Sequence, residues 1–374
     1  MARIHSCRTA FAPLAAALAL TLHALMPSAN AATVVYVGNA DSQDLSLFAL
    51  AADGGLNPLA TVVLQRPAHP GRSMLLAVSP DHGFLYAGFF SSDEKHSVVT
   101  SYSIDPKSGM LTPRGSTQLA DIMSYISTDR SGRYLLSASY GGNKVSVNSI
   151  GRDGVVADTL QIIPTEPKAH CILADPTNRF VLHTALGGDV VYQQRFDAKT
   201  GRLSPAIPPT VGVPANAGPR FFIFSRDGRY VYLIDELDGA IRVFPFDPAT
   251  GALQPQVQVA SALPAGFTGQ AWGADIHLTP DGRFLYVSER TSSTLGAFRV
   301  EPERGTLTAI ETVATVKQPR AFNIDPAGRY LVSSGQLSNS VMTYAIDRGS
   351  GKLTALKEYP VGLNPTWVEI VSLP

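Results

Sequence analysis

Five residues suited to work together on a carbonyl group sit at matched places in this sequence: His170, Arg220, Glu236, Arg290 and Arg320. A carboxylate or an imidazole can take a proton from water, and guanidinium groups can hold the negative charge that develops on a carbonyl oxygen. Arginine suits the second task because its planar fork keeps its charge at any working pH. The places are matched because each is counted from an aromatic residue that closes a recurring polar turn. Those markers are Phe84, Tyr134, Phe180, Tyr230, Phe284 and Tyr330. Ten residues before them stand Met74, Ser124, His170, Arg220, Ala274 and Arg320; six residues after them stand Phe90, Tyr140, Leu186, Glu236, Arg290 and Gln336. Taken singly, each arginine or the glutamate would serve as well in an ion pair between repeats, and His170 as a hydrogen-bonded structural histidine. Five such groups in two registers are what point to a site.

The elements that must position them follow from the same repeat. The markers recur at intervals of 46 to 54 residues, and the turns before them read Asp-His-Gly, Ser-Gly-Arg, Thr-Asn-Arg, Asp-Gly-Arg twice and Ala-Gly-Arg. In the last unit, 320–325, 330–334, 340–346 and 353–361 read as four strands, each rich in alternating or β-branched residues and bounded by Gly, Pro, Asn or Asp. A period near 50 residues made only of strand and turn indicates an all-β fold, the β-propeller, with four antiparallel strands per blade. Six units carry the marker. The stretch from Val34 to Leu59 supplies outer strands without an inner one, and Pro365-Thr366-Trp367-Val368-Glu369-Ile370 supplies the missing inner strand. The expected fold is therefore a seven-bladed propeller closed by pairing of its N- and C-terminal strands, with Thr366 to Val371 beside Val34 to Val37. The connections into the first strand and out of the second open on one end of such a ring, so both registers face the same mouth. His277, in a different register, is placed to line the channel or to orient Arg290.

Composition sets the remaining bounds. Of 374 residues, 45% are hydrophobic, enough for a large core, and 30 basic residues balance 30 acidic ones. That balance gives no footprint for nucleic acid or an anionic membrane surface. Arg3 and Arg8 precede an uncharged apolar run from Ala10 to Met26, and Ala29-Asn30-Ala31 follows as a small-x-small cleavage pattern. Residues 1–31 thus read as a secretory signal peptide, and 32–374 as one domain that is periplasmic or secreted, detached from the membrane after cleavage. Removal of the leader leaves 28 basic against 30 acidic residues and takes Cys7 with it. Cys171 is then a lone thiol, expected to be buried and inert. The chain has no Gly-x-Ser-x-Gly elbow, no Cys/His spacing suited to zinc and no phosphate-binding glycine loop before a helix. No cofactor is expected, although scattered carboxylates such as Asp275 leave calcium or another divalent metal open.

Gly218-Pro219-Arg220, Asp235-Glu236-Leu237, the run Ala274-Asp275-Ile276-His277-Leu278-Thr279-Pro280-Asp281-Gly282-Arg283, Glu289-Arg290-Thr291 and Gln318-Pro319-Arg320 together resemble the bacterial lactonase family. That family includes 6-phosphogluconolactonases and the similar fungal carboxymuconate lactonising enzymes, all seven-bladed propellers. The resemblance runs over nearly all of the chain after the leader. It implies an active site at His170, Arg220, Glu236 and Arg290, with Arg320 and Gln336 as accessories. One departure is Phe221, which stands where many relatives carry a histidine. The implied chemistry is opening of a sugar lactone, phosphorylated or not, by water, with a small-molecule lactone as the only partner of a monomer. Either Glu236 or His170 would be the base, Arg220 and Arg290 the clamps on the oxyanion or a carboxylate, and Arg320 a contact for a ligand anion. Two alternatives stay open: the same groups could run a muconate-type cycloisomerisation, or the mouth could bind a ligand or a protein without chemistry.

Overall fold

The computed structural model describes residues 32–64, 71, 73–89 and 95–373. The leader expected over residues 1–31 and Phe90 of the second register lie outside these described residues. Strand burial follows position in the sheet. In blade 2 the second strand, Phe84–Phe89, is buried almost along its length, whereas the outermost, Leu111–Gln118, is exposed at every second residue or more. A strand covered on both faces accepts a continuous apolar run, and one at the rim shows alternate side chains to water.

Seven sheets of this kind form the ring, every pairing antiparallel. Blades 2 to 7 run in chain order over residues 75–118, 125–164, 169–212, 219–261, 273–314 and 319–360. Blade 1 joins the two ends of the chain: Pro365–Ser372 is its inner strand, followed outward by Thr33–Asn39, Asp44–Leu50 and Leu56–Val63. Val34 pairs with Val371 and Val37 with Val368, as the sequence pattern requires. In blade 5 the outer strand is broken into Ala252–Leu253 and Gln258–Ser261. Pro255 lies in the gap, where it lacks the N–H a continuous ladder would need.

The repeated phrase turns out to be a clasp between blades. The middle residue of each marker turn is left-handed: Gly132, Gly228, Gly282 and Gly328 with φ of 65° to 74°, and His82 and Asn178 at 58°. Glycine reaches that region at no steric cost, which explains its recurrence there. In blades 3, 4 and 7 an aspartate caps the turn; Asp175 Oδ1, for example, accepts the N–H groups of Arg179 and Phe180, both at 2.8 Å. The marker side chains then reach the next blade. Tyr134 Oη donates to Lys199 O at 2.8 Å, Tyr230 Oη to Glu303 O at 2.8 Å, and Tyr330 Oη to Ala52 O at 2.6 Å. The last of these bonds also links blade 7 to blade 1 across the closure.

Candidate active site

The two registers meet because the chain entering each blade is bonded to the chain leaving it. In blades 4 to 7 the N–H six residues after the marker donates to the carbonyl twelve residues before it. These bonds are Leu186 to Lys168 at 2.9 Å, Glu236 to Gly218 at 2.7 Å, Arg290 to Trp272 at 3.1 Å and Gln336 to Gln318 at 3.1 Å. In the same four blades the inner strand is irregular at its start. The register shifts between Ala169 and Ile172, Pro219 and Phe221, Gly273 and Ile276, and Pro319 and Ala321. His170, Arg220, Ala274 and Arg320 occupy these bulges. A bulge leaves its extra residue out of the ladder and re-aims the side chain, here into the mouth of the ring.

A cavity of about 350 Å³ results, lined by His170, Arg220, Glu236, Arg290 and Arg320 together with Ser73, Ile122, Met123, Ser124, Tyr140, Gly141 and Trp272. The carboxylate is gripped on one side. Glu236 Oε2 accepts from Arg220 Nε at 2.9 Å and from Arg290 Nη2 at 2.7 Å, while Oε1 accepts no hydrogen bond among the described residues. Backbone carbonyls fix the two guanidinium groups: Arg220 Nη1 donates to Ala274 O, and Arg290 donates to Trp272 O at 3.3 Å and to Gly273 O at 3.1 Å. Among the described residues Arg320 makes one side-chain hydrogen bond, from Nη2 to Ser73 Oγ at 3.2 Å, and most of its fork has no partner there. Bidentate recognition of an anion needs such a free fork.

The electrostatics divide the two candidate bases. Burial pushes the Glu236 carboxyl up, but Arg220 and Arg290 outweigh it and hold its pKa below the ordinary range, so it is ionised. His170 is driven well below the ordinary imidazole value, first by burial and then by Arg220 and Arg320. It is neutral, and its buried Nδ1 has no partner among the described residues. Burial lowers the Arg320 guanidinium to about 10, with Arg220 adding to the effect.

The floor of the cavity is aromatic. Tyr125, Phe221 and Trp367 come from the inner strands of blades 3, 5 and 1, which are not neighbours, so their rings meet across the axis. Tyr125 lies 4.9 Å from Phe221 and 5.3 Å from Trp367, edge to face in both pairs. Phe221 also packs against His170 at 5.2 Å and under the Arg220 guanidinium at 4.2 Å. Phe221 thus joins Tyr125 and Trp367 in an aromatic plug.

Two expected contacts lie elsewhere. Gln336 ties loops together outside the cavity lining, donating to Asn364 Oδ1 at 2.9 Å and accepting from Gln318 at 3.2 Å. His277 is absent from the cavity lining and makes no hydrogen bond to Arg290 among the described residues; it is paired with Asp275 at 3.2 Å and packed on Phe322. Asp275 itself spends its oxygens on His277 and on the N–H groups of Ile276 and Phe322. Among the described residues no three His, Cys, Asp or Glu side chains are grouped to hold a metal ion. Trp272, Tyr140 and Ser124 line the cavity without having been singled out from sequence. Tyr140 and Ser124 stood in the two registers; Trp272 lies two residues ahead of one, where the repeat has no fixed residue type.

A family model described as lactonase, 7-bladed beta-propeller, matches residues 34–370. The chain belongs to this lactonase family. It is 39% identical over 340 residues to a 6-phosphogluconolactonase of Pectobacterium carotovorum, covering 91% of this chain and 99% of that one. To the 6-phosphogluconolactonase of Serratia proteamaculans it is 40% identical over 339 residues, with the same coverage. Among solved structures, a periplasmic gluconolactonase of Pseudomonas aeruginosa superposes with a TM-score of 0.83 at 30% identity, covering 92% of this chain and all of that one. In this chain the fold gathers three guanidinium groups, one ionised carboxylate and one neutral imidazole at a single mouth. Among the described residues no helix is long and apolar enough to cross a membrane.

Proposed function

We propose that this protein hydrolyses a sugar lactone, with Glu236 as general base. The observation that carries this reading is the one-sided grip on the carboxylate, which leaves Oε1 free over a cavity while two guanidinium groups hold Oε2. In this scheme Oε1 takes a proton from water as the water oxygen adds to the lactone carbonyl. The new oxyanion lies against the N–H groups of Arg220 and Arg290 that face the cavity. Collapse of the tetrahedral intermediate breaks the ring C–O bond, and the proton held by Glu236 passes to the departing alkoxide. Three guanidinium groups facing one carboxylate favour a site in which charge of this sign develops. His170 is the poorer base, since protonating it would place a fourth cation among three arginines; it serves as a neutral hydrogen-bonding group. The fork of Arg320 receives an anionic or hydroxyl substituent of the substrate.

The relatives named 6-phosphogluconolactonase and gluconolactonase support this reaction class, and a small-molecule lactone acted on by a monomer is the corresponding partner. The test is turnover by purified protein of a panel containing glucono-1,5-lactone, its 6-phosphate and a muconolactone, each also supplied as the open acid. Rapid opening of a sugar lactone, abolished in Glu236→Gln, supports the reading; ring closure of the muconate alone sinks it. We further propose export with cleavage after Ala31. The family match beginning at residue 34 and the periplasmic P. aeruginosa relative support this. Protein isolated from its native host should begin at Ala32 by intact mass, and a cytoplasmic form starting at Met1 would overturn it.

A further inference from the structure

Trp272 lines the cavity as a large aromatic ring that is 37% exposed. Indole rings are normally buried for most of their area, so an exposed one on a cavity wall calls for a reason. Its own packing does not supply one. The Arg290 guanidinium lies 4.0 Å from the ring and covers part of it. The backbone is pinned on both sides: Trp272 N donates to Glu289 Oε1 at 2.7 Å, and Trp272 O accepts from Arg290 N at 3.1 Å. The backbone is thus fixed and one part of the ring lies against Arg290, while the rest of its surface stays free. On the opposite side of the mouth, from blade 3, Tyr140 also lines the cavity and is 36% exposed. Its ring stands edge-on to His170 at 5.7 Å. Ser73, Ser124, Glu236 and the arginines line the same cavity, beside Ile122 and Met123.

We infer that Trp272 is a stacking platform that selects a pyranose-ring lactone by its C–H face. The inference rests on the lactonase reading and adds to it the residue that holds the face of the sugar ring. A pyranose ring presents polarised C–H bonds on one face and hydroxyl groups around its edge. The face suits an aromatic surface carrying negative π density, and the edge suits serines, a carboxylate and guanidinium groups. A flat unsaturated dicarboxylate has no C–H face to offer the ring.

The protein contains two tryptophans, Trp272 at the mouth and Trp367 in the floor, so intrinsic fluorescence can report on the platform directly. The probe is glucono-1,5-lactam, an amide of the same ring shape that the reaction does not open. In the wild type the lactam should change the emission. In Trp272→Phe that change should vanish while lactam binding, followed by calorimetry, weakens by less than about threefold. In Trp272→Leu the KM for glucono-1,5-lactone and the lactam Kd should each rise about tenfold, equivalent to about 1.4 kcal/mol, with kcat within about twofold. A fall in kcat with unchanged KM in Trp272→Leu would mean that the indole acts only through Arg290, and the platform is refuted. Unchanged lactam affinity in Trp272→Leu refutes it equally. The two readings fail separately: lactam binding through Trp272 without turnover of any lactone leaves the platform standing and removes the hydrolase, whereas turnover indifferent to Trp272 does the reverse.

Discussion

Removing residues 365–374 should leave no folded ring. The deleted strand is the inner strand of blade 1, and its pairs with Thr33–Asn39 are the covalent-free seam of the propeller. Five apolar side chains of the deleted segment are buried: Trp367, Val368, Ile370 and Val371 in the strand and Leu373 just after it, none more than 9% exposed. Burying each contributes roughly 1.5–3 kcal/mol, so the strand as a whole contributes on the order of 10 kcal/mol. That is comparable to the net stability of a typical domain, about 5–15 kcal/mol. The loss does not stop at blade 1, because Thr366 Oγ1 accepts from Met74 N and donates to Met74 O, both at 2.9 Å, and so ties blade 1 to blade 2. The assay is thermal unfolding by circular dichroism and calorimetry of full-length and truncated protein, with Ile370→Val as a graded control. The control removes one methylene group and should cost about 0.5–1.5 kcal/mol while keeping one cooperative transition. A truncated chain that still unfolds cooperatively within a few degrees of full length would refute the argument, since the ring would then be held by blades 2 to 7 alone.

Acid should destabilise the fold through buried neutral imidazole. Burial lowers His183 to about 3, against about 6.5 in an unfolded chain. Its stabilising contribution is present above the unfolded value and is lost as pH falls below it; at pH 5 the loss is about 2 kcal/mol. His183→Leu should shrink the difference in Tm between pH 7 and pH 5, and an unchanged difference would show that the imidazole is not excluded from protonation. Arg290→Lys keeps a charge but cannot bond Glu236, Trp272 O and Gly273 O at once, so kcat should fall about 10²-fold or more with the fold retained by circular dichroism. Gly273→Ala would drive its Cβ into the Asp235 carbonyl oxygen, forcing a shift of the backbone that holds Arg290. It should cost roughly 1–3 kcal/mol and most of the activity, whereas Gly212→Ala, whose nearest contact is 3.9 Å away, should be silent in both assays.

The architecture was legible in the sequence because the blade repeats. Each marker turn needs a left-handed residue, a capping oxygen and an aromatic ring to clasp the next blade, and those requirements leave a readable phrase in six of seven units. The closure was legible for a related reason, since the repeat count left an inner strand missing at one end and a spare one at the other. Counting within the repeat also found His170, Arg220, Glu236, Arg290 and Arg320, because hydrogen bonds between the entering and leaving chains force those two registers together. What the count could not supply was contact across the axis. That Glu236 Oε2 is shared by two arginines, that Phe221 joins Tyr125 and Trp367 in a plug, and that Gln336 turns to Asn364 instead of the cavity all depend on side chains from different blades. Such contacts follow no period in the chain. The protonation states of Glu236 and His170 belong with these contacts: sequence offers both groups as bases, whereas burial together with Arg220 and Arg320 leaves the imidazole neutral, and Arg220 and Arg290 leave the carboxylate ionised.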